Sequence, residues 1–530
     1  MYDVIIVGSG GAGLSAALSA KEKTNKVLVI SKTYPTHSQT VQAQGGINCV
    51  LDYENDSISN HINDTYKSSK ELGNINTIKK MCESAQKTVI WLDELGVPFS
   101  RDNSGKIAQR YFGGTKAKRT CYSSDYTGLK IIHTLYDNCI KNNIEFLNEH
   151  TLIDLIINEN KYLGINVFNL LSGEVIDLYS KTLIIATGGY GNIYSTHTTN
   201  SVSTTGDGLA IAFKHGIKLS NLEFIQFHPT ALKGTNTLIS ESARAEGAFL
   251  IDDEGNRFVD EVTTRDEVAR AIKIKIDNGE NVYLDMRHIN ANIIKEKMPQ
   301  EQKLIKDIMN LDVHKDLIPI VPAVHYTMGG ILTDVSCETS IKDIYACGEV
   351  AQNNTHGANR LGGNSLLEII TFGKIAGNNA AEISLKKETN IPNKIEFNVI
   401  NLILEKKLGK SIYKIKNDLS EAMFNYAGLY RTDNDLKKLH LLIKKFEEEY
   451  KNTGIENKSK KYNKNIVDYI ELGNLLILSK LVCQSALKRR ESRGSHFRKD
   501  YKQINKEYQK ISTIQNIKER VEYKLEEALC

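Results

Sequence analysis

The opening segment of the chain constrains the fold more than any other part. An apolar, β-branched run, Asp3–Val7, is followed by the glycine-rich turn Gly8–Gly13, a helix of small residues over 14–21, and a second β-rich run, Lys26–Ile30. This order is typical of the first βαβ unit of a dinucleotide-binding fold, in which glycines allow close backbone approach and the helix N-terminus faces a pyrophosphate. Ser31, and not an acidic residue that would bind a ribose hydroxyl, ends the second run, which disfavours NAD more than FAD.

Composition excludes several classes of protein. The chain has 530 residues, enough for two to four domains, and its 41% hydrophobic and 25% charged residues are typical of a folded protein. Its 68 basic and 64 acidic side chains nearly balance, without a basic stripe interleaved with aromatic residues, so we expect no nucleic-acid partner. The 8 cysteines, the last of them Cys530, show no CxxC spacing. We therefore expect no metal, disulfide framework or iron–sulfur cluster within this chain.

The sequence contains no segment typical of a membrane span or an export signal. The apolar run Leu475–Val482 is interrupted by polar residues and is far shorter than the roughly 20 residues that cross a bilayer. Met1 is followed directly by the first β-like run, without a basic segment or a cleavage site. These features predict a cytoplasmic chain that reaches a membrane only through partners.

Several further segments are too unusual to be turns alone. The longest are Tyr34–Gly46, Gln226–Thr230, His325–Gly330 and His356–Leu366. Shorter ones are Arg110–Gly114, Ala186–Gly189, Thr205–Gly208, Tyr283–Asp285 and Arg490–Gly494. With these motifs the chain resembles, over nearly its full length, the flavoprotein subunits of fumarate reductase and succinate dehydrogenase, and their relative L-aspartate oxidase.

The resemblance and the composition pattern together predict the domain organisation. Residues 223–320 mix strand and helix patterns, whereas Ile344–Cys347 and the helix Phe372–Ala381 indicate a return to the first domain. Beyond residue 390, Lys, Glu, Leu and Ile recur at helical spacing to the end. We predict an α/β protein with a Rossmann-like FAD-binding domain at 1–222 and 321–389, an inserted α+β capping domain at 223–320 and a C-terminal helical domain at 390–530.

The expected substrate is a dicarboxylate, which needs cations and hydrogen-bond donors at both ends. Arg360 offers a guanidinium fork, and His228 and His325 offer two imidazoles. Either histidine alone is more often a packed core residue, but the resemblance implies that all three residues bind the substrate carboxylates. It adds the hydroxyl of Ser240, where relatives often have Thr, and places Phe112 beside the substrate.

Reduction of fumarate adds a hydride to one alkene carbon and a proton to the other. The flavin N5 and an acid must therefore lie on opposite sides of the substrate. The resemblance assigns the acid to Arg265 and its proton relay to Glu241 and Arg244, with His228 also among the catalytic residues. From the residues alone, an ordinary ion pair between Arg265 and Asp266 or another neighbour stays open.

The resemblance and the glycine pattern both imply FAD as cofactor. We expect the pyrophosphate at the first glycine turn, the adenosine at the end of the second strand, the sugar-like hydroxyls at two carboxylates, and the isoalloxazine between the 38–46 segment and a helix start. The pyrophosphate residues are Gly8, Gly10, Gly11 and Gly13, and the adenosine residues are Ser31 and Lys32. The two carboxylates are Asp207 and Glu349. The isoalloxazine residues are Ser38, Gln39, Thr40, Gly45 and Gly46 in the first segment, and Arg360, Ser365 and Leu366 at the helix start.

Gln39 is the most informative departure from the family. Relatives in membrane complexes commonly have a His at this position that bonds covalently to the 8α carbon of the flavin, and glutamine cannot form that bond. We therefore predict noncovalent FAD, with a lower potential that favours fumarate reduction. His37 is the alternative nucleophile.

Three functions stay open at this stage. The first is a subunit that interconverts fumarate and succinate within a complex, and the second is a soluble L-aspartate oxidase of NAD biosynthesis. The third, a catalytically silent assembly subunit, is disfavoured because every inferred catalytic position has a competent side chain. Phe112 favours the first, because aspartate oxidases tend to have an acidic residue there to meet the substrate ammonium, whereas Gln39 and a short C-terminus agree with the oxidase.

The first function implies partners. Electrons need a relay to or from the flavin, and this sequence has no iron–sulfur ligand pattern. We therefore expect a separate iron–sulfur protein subunit, a quinone pool, and a membrane anchor subunit that holds the complex at the inner face of the cell membrane.

Overall fold

The computed structural model describes residues 1–388 and 398–528. The boundary predicted between residues 389 and 390, and Cys530, lie outside these described residues. The α-helices of the described ranges are α1 (Gly11–Lys21), α2 (Ile58–Ser68), α3 (Ile75–Glu94), α4 (Thr127–Lys141), α5 (Asp207–Lys214), α6 (Glu241–Ala245), α7 (Arg265–Asp277), α8 (Ala291–Lys297), α9 (Pro299–Met309), α10 (Asn364–Leu385), α11 (Val399–Glu405), α12 (Ile412–Ala427), α13 (Asp433–Lys451) and α14 (Lys464–Lys488). Short 3₁₀ helices lie at Pro35–His37, Gln39–Gln42, Gly191–Tyr194 and Lys506–Tyr508.

The strands contribute to four sheets. They are β1 (Tyr2–Val7), β2 (Val27–Ser31), β3 (Ile47–Asn48), β4 (Gln109–Arg110), β5 (Thr120–Cys121), β6 (Glu145–Asn148), β7 (His150–Asn158), β8 (Lys161–Asn169), β9 (Val175–Ile185), β10 (Leu219–Ser220), β11 (Ile225–Leu232), β12 (Phe249–Ile251), β13 (Tyr283–Asp285), β14 (Ile318–Thr327), β15 (Gly330–Leu332), β16 (Ile344–Ala346), β17 (Ala351–Gln352), β18 (Ile511–Ile517) and β19 (Arg520–Glu526).

The dinucleotide-binding domain is built on a sheet in the order β6-β2-β1-β9-β8-β7, with β16 also paired to β9. Strand β9 joins two kinds of pairing: residues 175–179 run antiparallel to β8, and residues 180–185 run parallel to β1. Helix α10 packs on α1 through small residues, since a Cβ at Gly373 or Gly377 would lie 2.6 or 2.1 Å from a carbonyl oxygen of α1. The predicted order of strand, glycine turn, helix and strand at the N-terminus is confirmed.

The inserted capping domain has its own sheet and core. Its strands lie in the order β11-β14-β13-β12 and are all antiparallel. The apolar side chains of these strands and of α6–α9, among them Leu250, Val268 and Ile305, form a separate buried cluster. Strand β14 continues to Thr327, beyond the boundary predicted at residue 320, and so connects this domain with the first.

In the described residues of the C-terminal part, the last α-helix ends at residue 488. Helices α12, α13 and α14 pack together, but β18 and β19 then form a hairpin that pairs with β10. The prediction of helix through to the last residues is therefore wrong for 511–526, where apolar and polar residues alternate as in a strand. The run Leu475–Val482 lies in α14, and none of the helices described here is long and apolar enough to cross a membrane.

Candidate active site

One cavity, of about 1560 Å³ with the open solvent at its mouth included, extends from the β1–α1 turn to the capping domain. Both domains contribute to its walls. It brings together nearly all of the predicted site residues, namely Gly8, Gly10, Gly11, Ser31, Lys32, Ser38, Gln39, Thr40, Gly45, Gly46, Phe112, Asp207, His228, Ser240, Glu241, Arg265, His325, Glu349, Arg360, Ser365 and Leu366. Gly13 and Arg244 do not line it.

The β1–α1 turn leaves a helix N-terminus open to the cavity. Helix α1 begins after Gly10 without a side-chain cap, and the backbone N of Gly11 donates to Thr40 Oγ1 at 3.1 Å. A Cβ at Gly13 would lie 1.9 Å from the carbonyl oxygen of Gly8. Gly13 therefore allows the helix to pack on the turn. We predicted that it would face the pyrophosphate, but it does not line the cavity. The open N-terminus of the helix fits that anion.

A second uncapped helix N-terminus faces the same cavity. Helix α10 follows Gly363, which has φ +79° and provides no side-chain cap, and Ser365 and Leu366 in its first turn line the cavity. Two further lining residues, Ser38 and Thr187, have buried hydroxyls without a hydrogen-bond partner among the described residues. Unpaired hydroxyls between two positive helix ends fit a large, polar, anionic group such as FAD.

Lys32 and Asp207 form a buried ion-pair cluster. Lys32 Nζ lies 2.7 Å from both Asp207 and Glu471, and Asn474 donates to the other oxygen of Asp207 at 2.9 Å. The Asp207 carboxylate predicted for a sugar hydroxyl is thus already bound on both oxygens. Glu349 is the second carboxylate that we predicted for the sugar hydroxyls, and burial raises its pKa to about 7.

The two candidate positions for a flavin linkage differ in placement. Gln39 lines the cavity, and its Oε1 accepts a hydrogen bond from the backbone N of Ser201 at 2.6 Å. His37 is exposed and does not line the cavity. This placement disfavours His37 as the alternative nucleophile.

His228 and His325 lie side by side at the far end of the cavity, with ring centroids 5.0 Å apart. Thr199 Oγ1 lies 2.9 Å from Nδ1 of His325, and Nδ1 of His228 lies 3.3 Å from the backbone N of Thr230. Burial, reinforced by the charge of Arg265, lowers the pKa of both imidazoles well below the usual value. Both rings are therefore neutral near pH 7 and serve a substrate as hydrogen-bond partners rather than as cations.

Arg265 pairs with Glu241 and not with Asp266. Its Nε donates to Glu241 Oε2 at 2.7 Å and its Nη2 lies 2.6 Å from the same oxygen, whereas Asp266 pairs with Arg270. Burial opposes ionisation of Glu241, but the charges of Arg265 and Arg244 outweigh it, so the Glu241 pKa lies below its usual value. Two members of the predicted relay are thus in direct contact.

Arg244, the third member, lies behind Glu241. Its Nη1 donates to the carbonyl of Glu261, and its Nε and Nη2 are buried without a partner in the described part of the chain. Burial lowers the Arg244 pKa. Arg244 acts on Glu241 through its charge.

Gln226 connects the two arginines of the site and was not among the predicted residues. Its Oε1 accepts from Arg265 Nη1 at 3.2 Å and from Arg360 Nη2 at 3.1 Å. Its Nε2 donates to the carbonyl of Arg360 at 2.9 Å. The signal was present in the motif Gln226–Thr230, from which only His228 was assigned a role.

Arg360 is a buried cation that lacks an anionic partner in the described residues. It lies over the Tyr326 ring at 4.3 Å, its Nε has no hydrogen-bond partner, and burial together with Arg265 lowers its pKa to about 10. With Arg265 and Arg244 beside a single carboxylate, this end of the cavity has an excess of positive charge. It fits a dianion.

Phe112 forms an apolar wall of the same end. The ring is buried, and it lies so close to Gly45 and Gly362 that a Cβ there would come within 2.4 and 2.6 Å of it. No carboxylate occupies position 112 to receive a substrate ammonium.

The chain matches two family models. The FAD binding domain model matches residues 3–366, and the model for the fumarate reductase flavoprotein C-terminus matches residues 416–528. The chain is 34% identical to the fumarate reductase flavoprotein subunit of Serratia sp., over 94% of this chain and 89% of that one. It is 36% identical to the succinate dehydrogenase flavoprotein subunit of Rickettsia bellii, over 95% and 91% of the two chains.

A solved structure shares the whole architecture. A chain of the E. coli quinol fumarate reductase superposes with a TM-score of 0.94 at 31% identity, covering 100% of this chain and 97% of that one. The predicted α/β fold class is thereby confirmed as the fumarate reductase flavoprotein fold, and the FAD-binding domain supports FAD as the cofactor. The chain belongs to the flavoprotein subunits of fumarate reductases and succinate dehydrogenases, a family of FAD-dependent oxidoreductases.

Proposed function

We propose that this chain binds fumarate and succinate in the cavity described above and interconverts them by transfer of a hydride and a proton. One observation carries the proposal. Arg265 is bonded to Glu241 at 2.7 Å in the same cavity as the glycine turn and the buried cation Arg360. The groups that this reaction requires, an acid, a cation for the dianion and a turn suited to a dinucleotide, therefore line the same cavity.

The side chains divide the work. Arg360 binds one substrate carboxylate, while His228, His325 and the Ser240 hydroxyl bind the other as hydrogen-bond partners. FAD, when bound, supplies or accepts the hydride. Arg265 gives its proton to the second alkene carbon during fumarate reduction, and a proton taken up from water passes through the adjacent Glu241 carboxylate to the guanidinium.

Three cations and one carboxylate lie close together at the relay. The charges of Arg244, Arg265 and Arg360 all act on Glu241, which is positioned to pass a proton to Arg265. Arg244 supports the relay by stabilising the ionised form of Glu241.

We infer that the flavin is held noncovalently, because Gln39 offers no nucleophile and His37 lies outside the cavity. Without a covalent bond, the flavin has a lower potential, which favours fumarate reduction.

Electrons have to come from outside the chain. Within residues 1–388 and 398–528 no cluster of His, Cys, Asp or Glu could hold a metal ion. Its relatives are named as subunits, and the E. coli structure is a quinol fumarate reductase. We therefore infer an iron–sulfur protein subunit as electron partner, a membrane anchor subunit, a quinone pool, and a peripheral location on the inner face of the membrane.

L-aspartate oxidation is the second candidate, and Phe112 argues against it. An α-ammonium must lose water on entering the site, which costs free energy unless an acceptor replaces that water. The purified FAD-loaded chain should therefore reduce fumarate with reduced viologen at a kcat/KM several orders of magnitude above that for L-aspartate with oxygen. Efficient oxidation of L-aspartate would transfer the assignment to the oxidase, and a chain inactive with both substrates would support the silent subunit.

A further inference from the structure

A buried acid lies beside the predicted relay, and the mechanism above does not use it. Glu301, on α9 of the capping domain, is 0% exposed. Its Oε1 accepts from the backbone N of Ser240 at 2.8 Å and from Ser242 Oγ at 3.3 Å. Ser240 and Ser242 begin the short helix α6, which carries Glu241. Glu301 thus holds the turn that carries Glu241, here called the relay turn, through the two residues on either side of it.

The other side of Glu301 faces the dinucleotide-binding domain. The backbone N of Glu301 donates to Asp125 Oδ2 at 3.0 Å, and the charge of Arg110 acts on Glu301. Arg110 Nη2 donates to the carbonyl of Gly45 in the wall of the cavity. Arg110, Asp125 and Glu301, here called the interdomain charge cluster, therefore connect the relay turn with the predicted flavin loop.

The cluster is incompletely paired. Glu301 Oε2, Asp125 Oδ1, and Nε and Nη1 of Arg110 are all buried without a hydrogen-bond partner among the described residues. Burial, together with the charge of Asp125, raises the Glu301 pKa to about 8, and burial raises the Asp125 pKa to about 6. Such a coupled pair changes its charge within the pH range of an ordinary assay.

We propose that Glu301 is a positioning residue for proton transfer: by accepting hydrogen bonds from Ser240 and Ser242, it holds the turn that places Glu241 against Arg265. The inference rests on the function proposed above. Glu301 does not line the cavity itself; it contacts the wall residue Ser240 and acts through the backbone of the turn.

Ionisation of Glu301 places a negative charge next to the relay turn. Asp125 and Arg110 face it from the other domain, and Glu246, at the end of α6, also acts on Arg110. When Glu301 loses its proton, a new negative charge lies beside Ser240 and Glu241. That charge repels a dicarboxylate bound at Ser240, so substrate binding weakens as the pH rises.

The first experiment compares Glu301→Gln with the unaltered FAD-loaded chain in fumarate reduction by reduced viologen, from pH 6 to pH 9.5. Glutamine keeps an acceptor for Ser240 but cannot ionise. The ratio of kcat/KM in the variant to that in the unaltered chain should rise by about threefold or more between pH 6.5 and pH 9. Asp307→Asn removes one acidic charge from the exposed face of the same helix, and its ratio should stay flat.

The second experiment tests the hydrogen bonds themselves. Glu301→Leu has a similar volume but no acceptor, so its kcat at pH 7 should fall about tenfold below that of Glu301→Gln, with the fumarate KM within about twofold. FAD content and the thermal midpoint monitor folding; if the leucine variant does not fold, the pH ratio of the glutamine variant decides alone. A flat ratio, or equal kcat in the folded leucine and glutamine variants, would overturn the inference. If the unaltered chain does not reduce fumarate, that result would instead refute the proposed function.

Discussion

At the scale of single residues, the Arg265–Glu241 contact raises the question of whether Arg265 acts as an acid or as a binding residue. The ion pair spans 24 positions of sequence and is almost fully buried, so it places a guanidinium in the wall of the cavity. A guanidinium in this position could bind a carboxylate or donate a proton, and the two roles predict different kinetics.

Arg265→Lys should lower kcat for fumarate by at least about 10²-fold, the lower range of a general-acid contribution, because the ammonium cannot keep both the contact with Glu241 and the reach to the alkene. FAD binding and the affinity for a dicarboxylate should change little. Steady-state kinetics and flavin titration measure these quantities. Arg270→Lys, on the same helix but outside the cavity wall, is the matched control, and a near-normal kcat in Arg265→Lys would remove Arg265 from the acid role.

The residue at position 39 makes a prediction about the cofactor itself. Because an amide nitrogen is not a nucleophile, acid precipitation should leave the yellow flavin in the supernatant. The protein band of a denaturing gel should show no flavin fluorescence. Fluorescence that stays on the polypeptide would mean that another side chain, His37 included, forms the bond.

At the scale of elements, the start of α10 forms part of the cavity wall where we predict the flavin. Gly363 has φ +79°, and a Cβ there would lie 2.2 Å from Asn48 Oδ1. Asn48 also donates to the carbonyl of Gly362 and to Asn364 Oδ1, both at the same helix start. The helix end is therefore fixed by contacts that leave no room for a side chain.

Gly363→Ala should weaken FAD binding roughly tenfold, because the strained backbone and the displaced Asn48 move the uncapped helix end. Equilibrium titration of the apoprotein with FAD measures the change. Gly96→Ala provides the control: Gly96 also has a positive φ, of +105°, but a Cβ at Gly96 would have no atom within 4 Å, and the residue is outside the cavity. Equal affinities in the two variants would show that the end of α10 does not contribute.

The secondary-structure elements differ in how well the sequence predicts them. The βαβ opening was predictable because strand pattern, glycine turn and helix pattern agree locally over a short stretch. The β18–β19 hairpin was missed because Lys518 and Glu519 form its turn with positive φ angles that usually mark Gly or Asn, so no turn signal interrupted the Lys- and Glu-rich composition. Glu301 was not predictable, because only the folded chain places it next to Ser240.

At the scale of the whole molecule, buried ion pairs fasten the C-terminal region to the rest. Arg489 is 0% exposed and lies 2.5 Å from Glu223 and 2.9 Å from Glu491. It also donates to the carbonyls of Tyr508 and Lys510, just before the final hairpin. One side chain thus connects the start of the capping domain, the end of α14 and the hairpin.

Arg489→Met should lower the free energy of unfolding by about 3–5 kcal/mol, because the buried Glu223 loses its cation while Glu491 keeps only Arg493. Urea denaturation followed by circular dichroism measures the effect. Arg490→Met changes the exposed neighbour and should lie within about 0.5 kcal/mol of the unaltered chain. A similar midpoint in both variants would show that the cluster adds no net stability.

The shared cavity also links the occupancies of its two ligands. Gly10 and Ser38 at one end belong to the dinucleotide-binding domain, and His228 and Arg265 at the other belong to the capping domain. A dicarboxylate held as proposed, by Arg360 and by the two histidines, would contact both domains, and a ligand that binds only this arrangement of the two domains shifts the population toward it by mass action. Saturating dicarboxylate should therefore lengthen the residence time of a flavin that no covalent bond retains, and the substrate itself becomes the kinetic barrier to cofactor loss.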